Sequence, residues 1–277
     1  MAIILALLAA FAYGASDFAG GLGSRKSNAG LATAIVQFFG LIMALAAIWL
    51  LPSNNPSAAV LGWGAVSGIG SAIGALALYR GMVVGRMSVV APLSAVTTAV
   101  IPVVLGLFLG ESLAISAQIG IALAIPAIAL VALHPEPGTQ SNKRAGILEG
   151  IVSGVGFALL FIALDQAGTQ YGAWPLVPGQ TVAILLVLPF AWQARRQPRP
   201  ASTTMWLLVA GGVCGGGANL LFLAATGYGQ LAIVTVLTAL YPAITILLAR
   251  VFLHERLQWL QIVGLFLAAG AVVLLSL

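Results

Sequence analysis

The sequence predicts an all-α integral membrane protein, with ten transmembrane helices in two inverted five-helix repeats around a central cavity. Three observations carry this. Of 277 residues, 61% are hydrophobic and only 6% charged, with a mean hydropathy of +1.11, whereas a soluble domain carries about 25% charged residues. Six acids and eleven bases are too few to clothe a soluble globule of this length, so the expected solvent is lipid. The chain also divides into apolar runs of about 20 residues, the length of a helix that crosses a bilayer. Finally, its two halves repeat one another.

The runs fall at 2–23, 30–51, 58–83, 87–109, 115–133, 146–167, 172–193, 204–226, 231–253 and 258–276. The first resembles a secretory signal superficially. It lacks a basic leader, its apolar run is too long, and Asp17 sits well inside it, so it is expected to be the first span. The next breaks carry turn chemistry, Ser24-Arg25-Lys26-Ser27-Asn28 and Pro52-Ser53-Asn54-Asn55-Pro56. The longest and most polar break, His134 to Arg144, divides a first repeat (1–133) from a second (146–277), with 134–145 as the linker.

Prolines are expected to interrupt several spans: Pro92 and Pro102 in the fourth, Pro126 in the fifth, Pro175, Pro178 and Pro189 in the seventh, Pro242 in the ninth. Each removes a backbone donor, which membrane proteins tolerate where neighbours or cavity water satisfy the freed carbonyl. Pro92 and Pro242 are candidates for a hinge or a static kink. Gly64 and Gly68, Gly70 and Gly74, Gly211 and Gly215, and Gly212 and Gly216 form GxxxG pairs, which let helices approach closely, inside the bundle or at a dimer seam.

The repeat is gapless over a long stretch. Laying 61–133 on 205–277 at a constant shift of 144 pairs Gly68 with Gly212, Gly85 with Gly229, Ala95 with Ala239, Glu111 with Glu255 and Gly120 with Gly264. Over 85–133, 15 of 49 pairs are identical. The first two spans of each half align less clearly, with Gln37 near Gln180 as the best anchor. Five spans is an odd number, so the second half must lie upside down relative to the first. Inverted repeats with a ligand near the bilayer midplane are a recurring transporter design.

The segments following Leu76 and Leu220 share a pattern: a span ending near a Gly, a next span with an internal Pro, then the turns Leu109-Gly110-Glu111-Ser112-Leu113 and Leu253-His254-Glu255-Arg256-Leu257. This pattern resembles the repeat of EamA-type permeases of the drug/metabolite transporter superfamily, bacterial inner-membrane exporters of amino acids and metabolites among them. The resemblance implies ten helices in two inverted repeats, with helices 1, 3, 4, 6, 8 and 9 lining a central cavity. It implies transport of a small organic solute, with amino acids, sugars, nucleotide sugars and drugs all represented among members.

Polar side chains inside spans are costly and tend to face protein or water, so their spacing marks candidate lining faces. Span 4 places Ser94 and Thr98 on one stripe; the repeat-mates in span 9 are Thr238 and Pro242, with Tyr241 flanking. Such hydroxyls also serve as glue between helices. Span 3 places Ser71 and Tyr79 on a second stripe, matched in span 8 by Asn219, whose amide suits a carboxylate or an amine. Span 1 gathers Tyr13, Ser16, Asp17 and Gly20. Asp17 is the only acid well inside a span, and it could hold a substrate ammonium, exchange a proton, or pair with Arg80 or Arg25. Arg80 and Arg250 are expected to anchor span ends by snorkelling.

All eleven Lys and Arg residues lie in or flank the breaks after odd-numbered spans, Arg80 and Arg250 just inside span ends. By the positive-inside rule those breaks face the cytoplasm and both termini lie outside. The expected setting is a multi-pass protein of the inner (plasma) membrane, with a lipid bilayer and a small-molecule substrate as partners, as monomer or homodimer. The net charge of +5 is no nucleic-acid signature, because no basic patch interleaves with aromatics. A single cysteine, Cys214, excludes a disulfide framework, and no metal or cofactor motif is present. An enzyme would need convergent acids, His or Cys at membrane depth, but His134 and His254 lie in breaks. A channel would need a filter or charged rings. The expected function is secondary transport by alternating access, export of amino acids (hydrophobic and aromatic ones included) or related metabolites, with drug or cation efflux and sugar transport as alternatives and a channel or membrane-embedded enzyme as remoter ones.

Overall fold

The computed structural model describes residues 1–50, 54–84, 87–108, 110–132, 143–193, 200–253 and 258–277. Glu255 with its turn, residues 134–142 of the linker, Arg86, Arg195, Arg196, Arg199 and the Pro92 side chain lie outside the described residues. Among the described residues the chain folds into helices without strands. They are α1 (Ala2–Arg25), α2 (Ala29–Leu50), α3 (Ala58–Val84), α4 (Met87–Phe108), α5 (Ile115–Ala132) and α6 (Lys143–Ala167) in the first part. After a 3-10 turn (Thr169–Tyr171) follow α7 (Leu176–Gln193), α8 (Ser202–Thr226), α9 (Leu231–Thr238), α10 (Tyr241–Leu253) and α11 (Trp259–Ser276). Counting Leu231–Phe252 as one, eight described segments are long and apolar enough to cross a bilayer, and Leu93–Phe108 and Ile115–Val131 are shorter apolar helices. The architecture is that of a ten-span all-helical membrane protein.

Local chemistry explains where the helices start and stop. Asn28 caps α2, its Oδ1 accepting from the Gly30 amide at 2.8 Å, the usual role of Asn before a first turn. Gln258 and Gln261 form a reciprocal capping box on α11. The seventh span begins at Leu176 and not at 172, because Gly168 and Gly172 hold positive φ (75° and 54°) around the 3-10 turn. Pro175 and Pro178 therefore open α7 and do not interrupt it. Residues in a first helical turn have no intrahelical partner for their N–H, so proline costs little there. Pro126 and Pro189 do sit inside α5 and α7, and both helices continue through them.

The ninth span is broken. α9 ends at Thr238 and α10 begins at Tyr241, with Leu240 N–H bonded to the Leu237 carbonyl at 3.3 Å and Ala243 N–H to that of Leu240 at 2.9 Å. Pro242 has no N–H to return to the Thr238 carbonyl. The break is a structural feature of this chain, and it places Tyr241 at the head of a new half-helix.

Packing between the halves is reciprocal. α3 lies against α6 and α7, as α1 and α2 lie against α8; α4 lies against α6, as α10 lies against α1; α5 meets α11 and α2 meets α7. The most extensive helix–helix seams all join the first half to the second. Glycines set how closely they approach: a methyl added at Gly70 would come within 2.6 Å of the Gly156 carbonyl, and one at Gly68 would collide with the Gly179 carbonyl. Gly211 and Gly215 face Ser16, and Gly212 and Gly216 face α2. The GxxxG pairs are thus spent on seams inside the bundle, which leaves no glycine pair of this set for a dimer seam.

Candidate functional site

A cavity of about 50 Å³ lies where these seams cross, room for a few water molecules. α1 contributes Tyr13, Ser16 and Asp17; α3 contributes Ser71, Ala75, Leu78 and Tyr79; α8 contributes Gly215, Gly216 and Asn219. Tyr241 at the head of α10 completes the polar side. α6 presents Phe157, Leu160 and Phe161, while α2 and α7 add Gln37 and Gln180. The participation of α2 and α7 departs from the lining set the family resemblance implied, and among the described residues α4 contributes none to the wall.

The side chains are held in place by interhelical contacts. The Tyr13 hydroxyl donates to Asn219 Oδ1, linking α1 to α8, which leaves the Asn219 amide nitrogen for other partners. Ser16 Oγ donates to the Gly211 carbonyl at 2.8 Å, and Gln37 Nε2 donates to Ser71 Oγ at 2.7 Å. Gly20 has no side chain where the Tyr79 hydroxyl arrives, so Tyr79 reaches α1 about one turn beyond Asp17. Phe161 stacks on Phe222 with ring centres 4.1 Å apart, and Tyr13 tilts between Phe161 at 5.6 Å and Tyr241 at 6.5 Å.

Asp17 is partly buried at the cavity wall, eight residues, about 12 Å, from the end of α1 at Arg25. Tyr13, Tyr79 and Tyr241 are its electrostatic neighbours. Arg80 does not reach it; Arg80 Nε pairs with Glu149 Oε1 at 3.2 Å. α6 carries two further acids nearer its ends, Glu149 as its seventh residue and Asp165 two residues before its last. Gln180 Oε1 faces the site without a hydrogen-bond partner among the described residues, and the Tyr241 hydroxyl faces it with Ser94 as its neighbour.

Six of the nine sequence candidates therefore meet at one cavity: Tyr13, Asp17, Ser71, Tyr79, Asn219 and Tyr241. Three do not. Ser94 Oγ bonds Ser153 Oγ at 2.8 Å, and Thr98 Oγ1 donates to the Ser94 carbonyl at 2.7 Å and the Gly154 carbonyl at 3.4 Å. These hydroxyls glue α4 to α6, the alternative that hydroxyl spacing alone leaves open. Thr238 is fully buried at the end of α9 and is not part of the wall. Gln37 and Gln180 served the sequence reading only as an alignment anchor. Phe157, Leu160 and Phe161 carried no polar signal at all.

Comparison with known proteins now decides the family. The model of the EamA-like transporter family matches residues 1–133 and again 144–277. The chain belongs to the EamA-like transporter family. An uncharacterized protein of Methanocaldococcus jannaschii is 34% identical over 135 residues, 48% of this chain and 96% of that relative. One half of this EamA chain is thus similar to nearly the whole of the relative. A crystal structure of a protein 18% identical in sequence superposes with a TM-score of 0.74, covering 99% of this chain and 95% of that one. It shares the fold. The EamA family is a transporter family of the drug/metabolite superfamily, and the multi-pass membrane character follows from the family and the apolar helices together.

Proposed function

We propose that this EamA chain is a secondary transporter that moves small organic solutes across the inner membrane by alternating access, with the α1–α3–α6–α8 cavity as its substrate site. The observation that carries the reading is a small, mostly apolar cavity with a few convergent polar groups, placed where reciprocal seams of two related halves cross. Residues 1–133 and 146–277 act as inverted repeats in this reading, and exchanging their two conformations moves the open side from one face to the other. At about 50 Å³ the cavity is too small for a metabolite, so loading requires the walls to part. Export of amino acids or related metabolites is the substrate class favoured by the resemblance, and Asp17 suits their ammonium group. The protein works in this reading as a monomer or homodimer in the bilayer.

The test is uptake and counterflow in proteoliposomes, run across amino acids, sugars and cationic drugs. Asn219→Leu and Tyr79→Ala should lower transport at least roughly tenfold while leaving insertion intact. Unchanged rates in both variants would remove the cavity as the substrate site. Orientation is checked separately by labelling single cysteines at Ser27 and Asn54 in a Cys214→Ser background. Position 27 should react from the cytoplasm and position 54 from outside, and the reverse pattern would overturn the charge argument.

A further inference from the structure

The cavity is chemically lopsided, and the repeat shows how. The α1 positions on the wall, Tyr13, Ser16 and Asp17, carry a phenol, a hydroxyl and a carboxylate. α6, the first span of the second half as α1 is of the first, contributes Phe157, Leu160 and Phe161 to the same cavity, and these are wholly apolar. The two halves thus supply different chemistry to one site. The ionisable side is anionic, with Asp17 as its acid and no Lys, Arg or His on the wall among the described residues. Arg80, one of the two bases the sequence offered as a partner for Asp17, is engaged by Glu149. The neutral groups add acceptors: Gln180, 5% exposed, holds a buried oxygen with no partner among the described residues, and the Tyr241 hydroxyl, with Ser94 as its neighbour, offers a second.

We propose that the cavity selects small organic monocations, a primary or secondary ammonium on an apolar or aromatic body, over zwitterions and anions with the same skeleton. This rests on the cavity being the substrate site. A carboxylate removed from bulk water is costly unless an opposite charge meets it, and the ligand's ammonium is the charge that does so. The Gln180 oxygen and the tyrosine hydroxyls accept its remaining N–H bonds. Phe157 and Phe161 receive the body, and the faces of the surrounding rings add cation–π attraction. A ligand carboxylate has no such welcome. It would lie in one small cavity with Asp17, offered only neutral donors such as the Asn219 amide, and specificity arises as much from this unpaired charge as from the favourable contacts. Within the small organic solutes of the proposed function, this favours amines that lack a carboxyl group over the amino acids themselves.

The experiment uses the full-length purified protein and four probes of one skeleton: phenethylamine, phenylalanine, phenylacetate and 2-phenylethanol. Binding is read by calorimetric titration and by thermal shift. Phenethylamine should bind best, with phenylalanine and phenylacetate at least roughly tenfold weaker. Asp17→Asn should weaken phenethylamine by roughly tenfold or more while leaving 2-phenylethanol nearly unchanged, which also reports that the variant is folded. Phenylalanine binding as tightly as phenethylamine would overturn the proposal, and so would no phenethylamine binding to the folded protein up to about 10 mM. The wild-type order decides the matter even if Asp17→Asn does not fold. Counterflow of phenethylamine reads the carrier function independently. Its absence with the binding order intact would remove the transport reading and leave the selectivity standing.

Discussion

At the scale of single residues, the site is built from pairs that bridge helices. Tyr13 and Asn219 form such a pair across α1 and α8. Interhelical hydrogen bonds in membranes average about 0.6 kcal/mol and reach about 2. Unfolding of Tyr13→Phe, Asn219→Ala and the double variant should therefore give a coupling energy of about 1 kcal/mol; additive losses would mean the pair is not formed. Ser94→Ala makes a contrasting case. Its hydroxyl bonds Ser153 in the α4–α6 seam, so the expected result is a stability loss of about 0.5–1.5 kcal/mol with KM unchanged in the transport assay. A raised KM with unchanged stability would return Ser94 to the pathway. Asp17 and Asn219 were legible because a polar group inside a span is expensive enough to need a reason. Ser94 and Thr98 bond across the α4–α6 seam and not at the cavity wall, because a hydroxyl can satisfy itself against a neighbouring helix and spacing on a stripe does not say which neighbour it faces. Phe157 and Phe161 were illegible because apolar residues in a span read as lipid-facing whether or not a cavity lies beyond them.

At the scale of elements, the turn after α4 has a task its sequence pattern did not announce. Gly110, at φ 91°, turns the chain at the end of α4 and brings the Glu111 carboxylate beside Gly106 and the start of α9. Glu111 Oε1 accepts the Leu231 amide at 2.8 Å and Oε2 accepts that of Ala232 at 3.2 Å. Gln230 Nε2 donates back to the Ser112 carbonyl at 3.0 Å. A carboxylate at a helix N-terminus satisfies otherwise unpaired amides and meets the positive end of the dipole. The acid of the first half thus caps the short broken helix of the second. Glu111→Ala should cost about 1 kcal/mol and speed hydrogen exchange at Leu231 and Ala232 well beyond the rest of α9; unchanged exchange there would show that the cap is not formed in solution. The sequence marked Glu111 as rare and repeated. The partner was invisible because it lies 120 residues away. Span existence, by contrast, was readable almost to the residue, since hydropathy over about 20 residues is set by the bilayer itself. The exceptions were the late start of α7 and the α9–α10 break, both decided by glycine and proline backbone geometry and not by hydropathy.

At the scale of the whole molecule, the halves are interleaved. α1 and α2 rest on α8, α3 on α6 and α7, α5 on α11, and no seam within one half matches these. The glycine faces of α3 are shaped for α6 and α7, from Gly68 on Gly179 to Gly70 on Gly156. This arrangement has a consequence for biogenesis. A ribosome that has delivered α1 to α5 to the bilayer has produced helices whose tightest partners do not yet exist, so the nascent half must wait in lipid with its grooves unfilled. Membrane quality control meets the chain in that state at every round of synthesis. Residues 1–140 expressed alone should be degraded or aggregate, whereas co-expression with 141–277 should yield a stable complex that binds the same ligands. A long-lived, well-folded first half on its own would show that the seams form within a half before they form between halves.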